Sequence, residues 1–326
     1  MKKNIALVTG GYSGESVISY KSAETVSANI DRNIYNVFYI DINPEGWFYI
    51  DNDASKIAVS KTDFSVAVNN STIHFDAVLM CLHGTPGEDG KLQGYFDMLH
   101  IPYSTCSAAT SALTFNKRYT VAVAAFAGIN VAKSIHLFKD EAYNVTYILQ
   151  QLSLPVFVKP NNGGSSIGMS KVVQATGLEA AIQKAFKEDN QVLIEEFISG
   201  REFTIGVYKS AGKIIALPMT EIITQKDFFD YEAKYLGMSE EITPANASPL
   251  MAEQIANTAK KAYQVFNCNG VVRIDFIYNE ATQQPFMLEI NTVPGQSSAS
   301  IIPQQVKAAG ITLTAFYSSL IEACFQ

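Results

Sequence analysis

The chain has 326 residues, enough for two domains of ordinary size or three small ones, and so enough to bury substantial cores. Hydrophobic residues make up 48% and charged residues 17%, with 20 Gly and 11 Pro; this excludes disordered and collagen-like classes, because burial can offset the entropy lost on ordering. The 24 Lys and Arg against 31 Asp and Glu leave a net charge of −7, which argues against nonspecific nucleic-acid or anionic-membrane binding. An anionic ligand has to be met by local positive charge.

The apolar run from Val121 to Ile129 is about half of what a bilayer span requires. Met1-Lys2-Lys3 is followed by an apolar stretch, Ile5 to Val8, too short for a signal h-region, so no export signal and no membrane partner are expected. Cys81, Cys106, Cys268 and Cys324 are scattered among mostly apolar neighbours with no C-x-x-C pair, which predicts buried free thiols and fits a reducing cytoplasm.

In chain order, Asn4 to Thr9 reads as a strand ending in a glycine turn, Val17 to Asn29 as a helix, and Asn36 to Asp41 and Ala77 to Cys81 as strands. That alternation predicts a doubly wound half-domain with ligand-binding loops at the carboxyl ends of its strands. Helical spacing runs from Ser107 to Ala127. The strand Val156 to Lys159, the glycine and serine turn Asn161 to Gly168 and the strand Met169 to Val173 form a hairpin. A helix from Leu178 to Glu188 and a strand from Val192 to Glu196 follow. Strands at Glu202 to Tyr208, Gly270 to Tyr278 and Pro285 to Asn291 are covered by helices at Met251 to Phe266 and Leu313 to Phe325. Gln225 to Ala245 lacks sustained periodicity, and a structureless connection of that length predicts a lid.

Arg273-Ile274-Asp275 precedes Glu289-Ile290-Asn291 by fourteen residues. Alternate side chains of a strand share a face, so Arg273 with Asp275, and Glu289 with Asn291, point one way while the isoleucines enter a core. If the strands are antiparallel neighbours joined through Asn279 to Gln284, then Asp275, Glu289 and Asn291 converge, and an oxygen-only set suits Mg²⁺. A surface ion pair of Arg273 with a carboxylate is the plainer reading, but it leaves Asn291 and the Pro294-Gly295 turn unexplained.

Gly163-Gly164-Ser165-Ser166-Ile167-Gly168, with Lys159 upstream, allows close backbone approach to phosphate oxygens beside a positive charge. Met169 stands where a P-loop needs its lysine, so this is another kind of phosphate turn or a plain hairpin. Gly10-Gly11-Tyr12-Ser13-Gly14 with Asp41 offers a dinucleotide alternative, although Thr9 occupies the first glycine place of G-x-G-x-x-G. His83 opens His83-Gly84-Thr85-Pro86-Gly87-Glu88-Asp89-Gly90 directly after a strand, where a substrate could meet it; His74, His100 and His136 read as structural. No serine sits on a G-x-S-x-G elbow.

Leu288 to Gly295 with Arg273 to Asp275 and the Lys159 to Gly168 loop resembles the ATP-grasp superfamily. His83 to Gly90 with Leu92-Gln93-Gly94, Tyr231-Glu232-Ala233-Lys234-Tyr235, and Gly10 to Ser22 narrow the resemblance to the D-alanine–D-alanine ligase family. The resemblance implies an α/β and α+β ATP-grasp fold with an N-terminal doubly wound parallel-sheet domain. The implied parts are an N-terminal substrate domain (1–104), a central subdomain with the glycine loop (105–200), and a C-terminal subdomain with metal site and lid (201–326).

It also implies an ATP-dependent ligase, acting in peptidoglycan precursor synthesis, that activates one D-alanine as an acyl phosphate and couples it to a second. Lys117 and Lys159 would hold nucleotide phosphates with Gly164, Ser165 and Ser166, and Glu195, Glu196, Phe197, Ile198 and Glu202 would line the adenine and ribose site. Asp275, Glu289 and Asn291 would bind two Mg²⁺ ions, with Mn²⁺ as a substitute. Arg273 and the Gly295 N–H would steady the oxyanion, and Lys234 would touch the transferring phosphate. Ser300 and Ile301 would receive the second substrate's carboxylate, His83 would face substrate, and Ser165 with Tyr235 would join loop to lid. The family's glutamate in the first glycine loop is replaced here by Val17, and Glu15, two residues earlier, is the substitute. A homodimer is the expected assembly. The alternatives are an ATP-grasp ligase for another amino or carboxylic acid pair, a nicotinamide-dependent oxidoreductase and a noncatalytic nucleotide-binding protein.

Overall fold

The computed structural model describes residues 2–51, 53–164, 167–224 and 239–326. Three sheets organise them. The first is built on β1 (Lys3–Gly10), whose buried Ile5 to Val8 pair in parallel with β2 (Tyr35–Asn43) on one side and β7 (Ala77–Met80) on the other. Only these three strands follow the parallel βα expectation. From β2 the chain turns back through β3 (Gly46–Ile50), β4 (Lys56–Ser60), β5 (Ser65–Val68) and β6 (Ser71–Ile73), each antiparallel to the last. Sequence analysis left that meander unassigned.

Helix α1 (Ser16–Asn29) buries Ala23 and Val26 on one face of the parallel strands, and α2 (Lys91–Met98) buries Leu92 and Phe96 against the other core of the same sheet. The helical spacing from Ser107 to Ala127 resolves into α3 (Ala108–Phe115) and α4 (Lys117–Phe126). Asn116 divides them: its backbone is extended and its side chain accepts from the Tyr119 N–H at 3.1 Å, capping α4.

The second sheet runs β10 (Ser170–Val172), β9 (Val156–Pro160), β11 (Gln191–Glu196), β8 (Ser134–Phe138), all antiparallel. Helices α5 (Val145–Gln151) and α6 (Leu178–Ala185) cover its apolar face through Ile148, Leu178 and Ile182.

The third sheet has the order β15 (Ser239–Ile242), β14 (Thr220–Thr224), β12 (Arg201–Ser210), β16 (Val271–Asn279), β17 (Gln284–Asn291), with β13 (Lys213–Ala216) hairpinned onto β12. One face packs on α7 (Pro249–Val265) through Ile255, Ala259 and Tyr263; α7 starts at Ser248, whose hydroxyl accepts from the Met251 N–H, with Pro249 at its first position. Further along the chain come α8 (Ile301–Ala308) and α9 (Leu313–Ala323); Phe316, Tyr317 and Leu320 of α9 share one core with Ile5, Leu7 and Tyr208, tying the first sheet to the third. Of the expected lid, 225–238 lies outside the described residues, while Ser239–Ile242 is ordered strand paired with β14.

Candidate active site

The carboxylate pair comes together by register. Strands β16 and β17 are antiparallel, Arg273 lies opposite Asn291 and Asp275 opposite Glu289, while Ile274 and Ile290 are buried on the other face. The Arg273 guanidinium grips Asp275 with two bonds of 2.9 Å, Thr204 donates to the same carboxylate at 2.5 Å, and Asn291 Nδ2 lies 3.4 Å from its Oδ2. Burial works to lower the Arg273 pKa, but the charges of Asp275, Glu289 and Glu88 outweigh it and hold it above its ordinary value. The donors on this face are oxygens, with no histidine or cysteine among them, and suit a hard divalent ion.

Two adjoining cavities meet at this face. One, about 440 Å³, lies between the second and third sheets and is lined by Lys117, Lys159, Gly164, Glu195 to Ile198, Glu202, Asp275 and Glu289, with apolar walls from Phe157, Met169, Ile222 and Leu288. Lys159 pairs with Glu195 at 2.5 Å, and Lys117 Nζ donates to the Gly163 carbonyl at 2.6 Å. Asn161 fastens the glycine turn to the start of α4, accepting the Lys117 N–H on its carbonyl and the Arg118 N–H on its side chain. A cleft with apolar walls and with lysines and carboxylates in its lining suits a nucleotide, which joins an apolar base to a charged phosphate tail.

The other cavity, about 330 Å³, is lined by Glu15, His83, Glu88, Lys117, Glu202, Glu241, Arg273, Asp275, Glu289, Asn291, Gly295, Ser300 and Ile301. Ser300 precedes α8 and lines this cavity with Ile301 and Ile302, so the start of that helix, whose N–H groups suit an anion, lies at the cavity wall. A Cβ on Gly295 would stand 2.8 Å from Ser300 Oγ, so the glycine keeps this corner open. Glu15 lines the cavity, whereas Val17 is 57% exposed.

Two expectations change. His83 sits in the cavity wall but both ring nitrogens are engaged: Nδ1 with the Val293 carbonyl at 2.6 Å and Nε2 with Ser22 Oγ at 3.0 Å. Burial lowers the imidazole to about 4, so it is neutral, donating from Nδ1 and accepting at Nε2. Ser22 Oγ also accepts the Gln296 N–H, so His83 and Ser22 clamp the 293–296 turn and carry no free nitrogen toward a substrate. Asp41, the ribose-binding acid of the dinucleotide alternative, is buried and accepts from Tyr20 and Asn43. Gly10 is explained by packing, since a Cβ there would lie 2.3 Å from the Ile42 carbonyl. Ser165, Ser166, Lys234 and Tyr235 lie outside the described residues. Sequence reasoning passed over Glu88 and Glu241; the Gly-rich turn around Glu88 was the available signal for the first, and none marked the second.

Two antiparallel sheets that close on one cleft, the second bringing Lys159 and the glycine turn and the third the carboxylates, define an ATP-grasp protein. The family models for the D-ala D-ala ligase N-terminus and C-terminus match residues 4–106 and 117–322, and the chain belongs to the D-alanine–D-alanine ligase family. It is 46% identical over 320 residues to a D-alanine–D-alanine ligase of Flavobacterium johnsoniae, covering 98% of each chain. Among solved structures it is similar to the VanG D-Ala:D-Ser ligase from Enterococcus faecalis (TM-score 0.90, 31% identity, 99% of this chain and 100% of that one). It is also similar to a Bacillus anthracis D-alanine–D-alanine ligase complexed with ATP (TM-score 0.79, 26% identity, 99% and 97%).

Proposed function

We propose that the chain joins two D-alanine molecules into D-alanyl-D-alanine for peptidoglycan precursor synthesis, at the expense of ATP. The observation that carries this reading is the register that sets Asp275 against Glu289 and Arg273 against Asn291 at the meeting of the two cavities. In the reading, the carboxylate of the first D-alanine attacks the γ-phosphate, and the amine of the second displaces phosphate from the acyl phosphate through a tetrahedral intermediate. Such chemistry asks for charge neutralisation and positioning rather than a covalent nucleophile.

Lys117 and Lys159 hold phosphates beside Gly164, Ser165 and Ser166, and Glu195 to Ile198 with Glu202 hold the nucleoside. Asp275, Glu289 and Asn291 are the residues that would hold Mg²⁺, in two ions as the family resemblance implies, and the metal would neutralise the transferring phosphoryl group. Arg273 and the Gly295 N–H steady the oxyanion, Ser300 and the Ile301 N–H take the second carboxylate, and Lys234 and Tyr235 act from the lid. Glu15 takes the first substrate's ammonium in place of the residue at Val17. Four unbridged thiols, and the lack among the described residues of a helix long and apolar enough to cross a membrane, are compatible with a cytoplasmic setting.

Phosphate release measured with ATP, Mg²⁺ and D-alanine tests the reading. No release, or equal release with L-alanine, rejects it. The likeness to the D-Ala:D-Ser ligase favours D-serine as the alternative second substrate, and a panel of D-amino acids with D-lactate separates the two.

A further inference from the structure

Gln305 is fully buried on the inner side of α8 and inserts its amide into one edge of β12. On that edge β12 changes partner: Glu202 to Thr204 pair with β14, and Val207 to Ser210 pair with β13. Between the two, the Gly206 carbonyl is met by the Leu217 N–H at 2.8 Å, and Gln305 serves what remains. Its Oε1 accepts the Gly206 N–H at 2.8 Å, and its Nε2 donates to the Thr204 carbonyl at 2.9 Å and to Thr220 Oγ1 at 3.0 Å. One side chain thus satisfies backbone groups that would otherwise need a strand beside them. Gly206 lets the helix come this close, because a Cβ there would lie 2.6 Å from Ile302 Cδ1 and 2.9 Å from Gln305 Oε1. The same two residues of β12 also face the acid cluster. Across to β16, Thr204 is opposite Asp275 and Gly206 opposite Arg273, and the Thr204 hydroxyl donates to Asp275 Oδ1 at 2.5 Å.

We propose that Gln305 is a positioning residue for the second amino-acid substrate: its amide fixes the start of α8, where that substrate's carboxylate is taken, at a set distance from Arg273 and Asp275. This deepens the ligase reading and rests on it. Gln305 lines neither cavity and acts through its neighbours, since Ser300, Ile301 and Ile302 at the start of its helix line the smaller cavity together with Arg273 and Asp275. A helix held only by apolar packing can slide or tilt on the sheet, and a carboxylate bound at its start moves with it. The amine of the second substrate then misses the acyl phosphate, and a misplacement of about 1 Å costs about a hundredfold in rate. The nucleotide cavity is walled largely by the second sheet and by other strands of the third, and Glu15 comes from the loop before α1, so loss of the bridge falls on the second substrate.

The test is steady-state phosphate release by the full chain with ATP and Mg²⁺ against D-alanine concentration, which resolves a KM for each subsite. Gln305→Met keeps the length of the side chain and removes its amide. It is expected to lower kcat/KM for the second D-alanine about a hundredfold, with the first-site KM and the affinity for a nonhydrolysable ATP analogue as in wild type. Gly206→Ala keeps every hydrogen-bonding group but pushes a methyl against Ile302 and Gln305, and should give the same split in smaller measure. Tyr263→Phe is the control for stability alone: it removes the buried bond from the Tyr263 hydroxyl to the Gly270 carbonyl, 2.9 Å long, on the α7 side of the sheet. It should lower Tm and leave both KM values unchanged. Equal losses at both subsites in Gln305→Met, or the same split in Tyr263→Phe, overturn the proposal alone. If Gln305→Met does not fold, Gly206→Ala decides, and a wild-type second-site KM in that variant overturns the proposal. Wild-type protein that binds the nucleotide analogue but releases no phosphate with D-alanine overturns the ligase reading and this proposal with it.

Discussion

Replacing Asp275 by Asn tests whether the Arg273–Asp275 pair holds the third sheet together as well as shaping the site. Asp275 accepts from both sides: Oδ1 from Thr204 and Arg273 Nε, Oδ2 from Arg273 Nη2 and, at longer range, Asn291. An asparagine keeps the volume and one acceptor but turns an amide NH₂ toward donors, so the guanidinium loses its charge partner and one of two bonds. Breaking a buried pair costs about 3–5 kcal/mol. The Arg273 side chain is 23% exposed and Glu289 still faces it, which puts the expectation at the lower end, about 3 kcal/mol. With an unfolding entropy of roughly 2.1 cal/mol/K per residue over 326 residues, that lowers Tm by about 4 °C. Thermal unfolding without ligands reads it directly, and phosphate release should be lost in the same variant. A Tm unchanged to within about 1 °C would refute the argument, because it would mean that water already screens the pair.

His83 and Glu88 set opposing pH slopes. His83 falls from its ordinary 6.5 to about 4 on folding, so between those values the unfolded chain binds more protons and stability rises with pH, by about 3 kcal/mol in all. Glu88 rises from 4.5 to about 8, so across that window the folded chain keeps a proton the unfolded one releases, and stability falls with pH. Melts from pH 4 to 9 should show His83→Gln flattening the acid limb and Glu88→Gln the alkaline one; a profile parallel to wild type would count against the corresponding shift. Glu289→Gln, which removes a charge from the oxygen cluster at nearly constant volume, should abolish turnover with folding retained, and wild-type phosphate release would mean the metal site is misplaced. Gly84→Ala should raise the KM for the first D-alanine with nucleotide affinity preserved, since its φ of +68° penalises a side chain by about 1–2 kcal/mol and the new methyl displaces Glu15 and Ser13; an unchanged KM would place Glu15 outside the site.

The acid cluster was readable from sequence because its logic is local: alternation puts Arg273, Asp275, Glu289 and Asn291 on one face, and the short connection between the two strands leaves antiparallel pairing as the simple closure. The pairing of β9 with β10 and the helices α1 and α7 were readable for the same reason. Strands β3 to β6 were missed because each is short and only partly buried, leaving little alternation to detect. The break at Asn116 hid inside an apolar helical period that continues on both sides of it. His83 looked like a substrate contact until folding brought Val293, 210 residues away, against its ring. Glu88 and Glu241 gained meaning only in the same way. What the sequence alone determined is the chemistry available, since side-chain type, strand period and turn residues are properties of neighbouring positions. What only the tertiary structure decided is which of those groups are buried, paired or charged, because desolvation and Coulomb energy depend on distances between residues the chain keeps far apart until it folds.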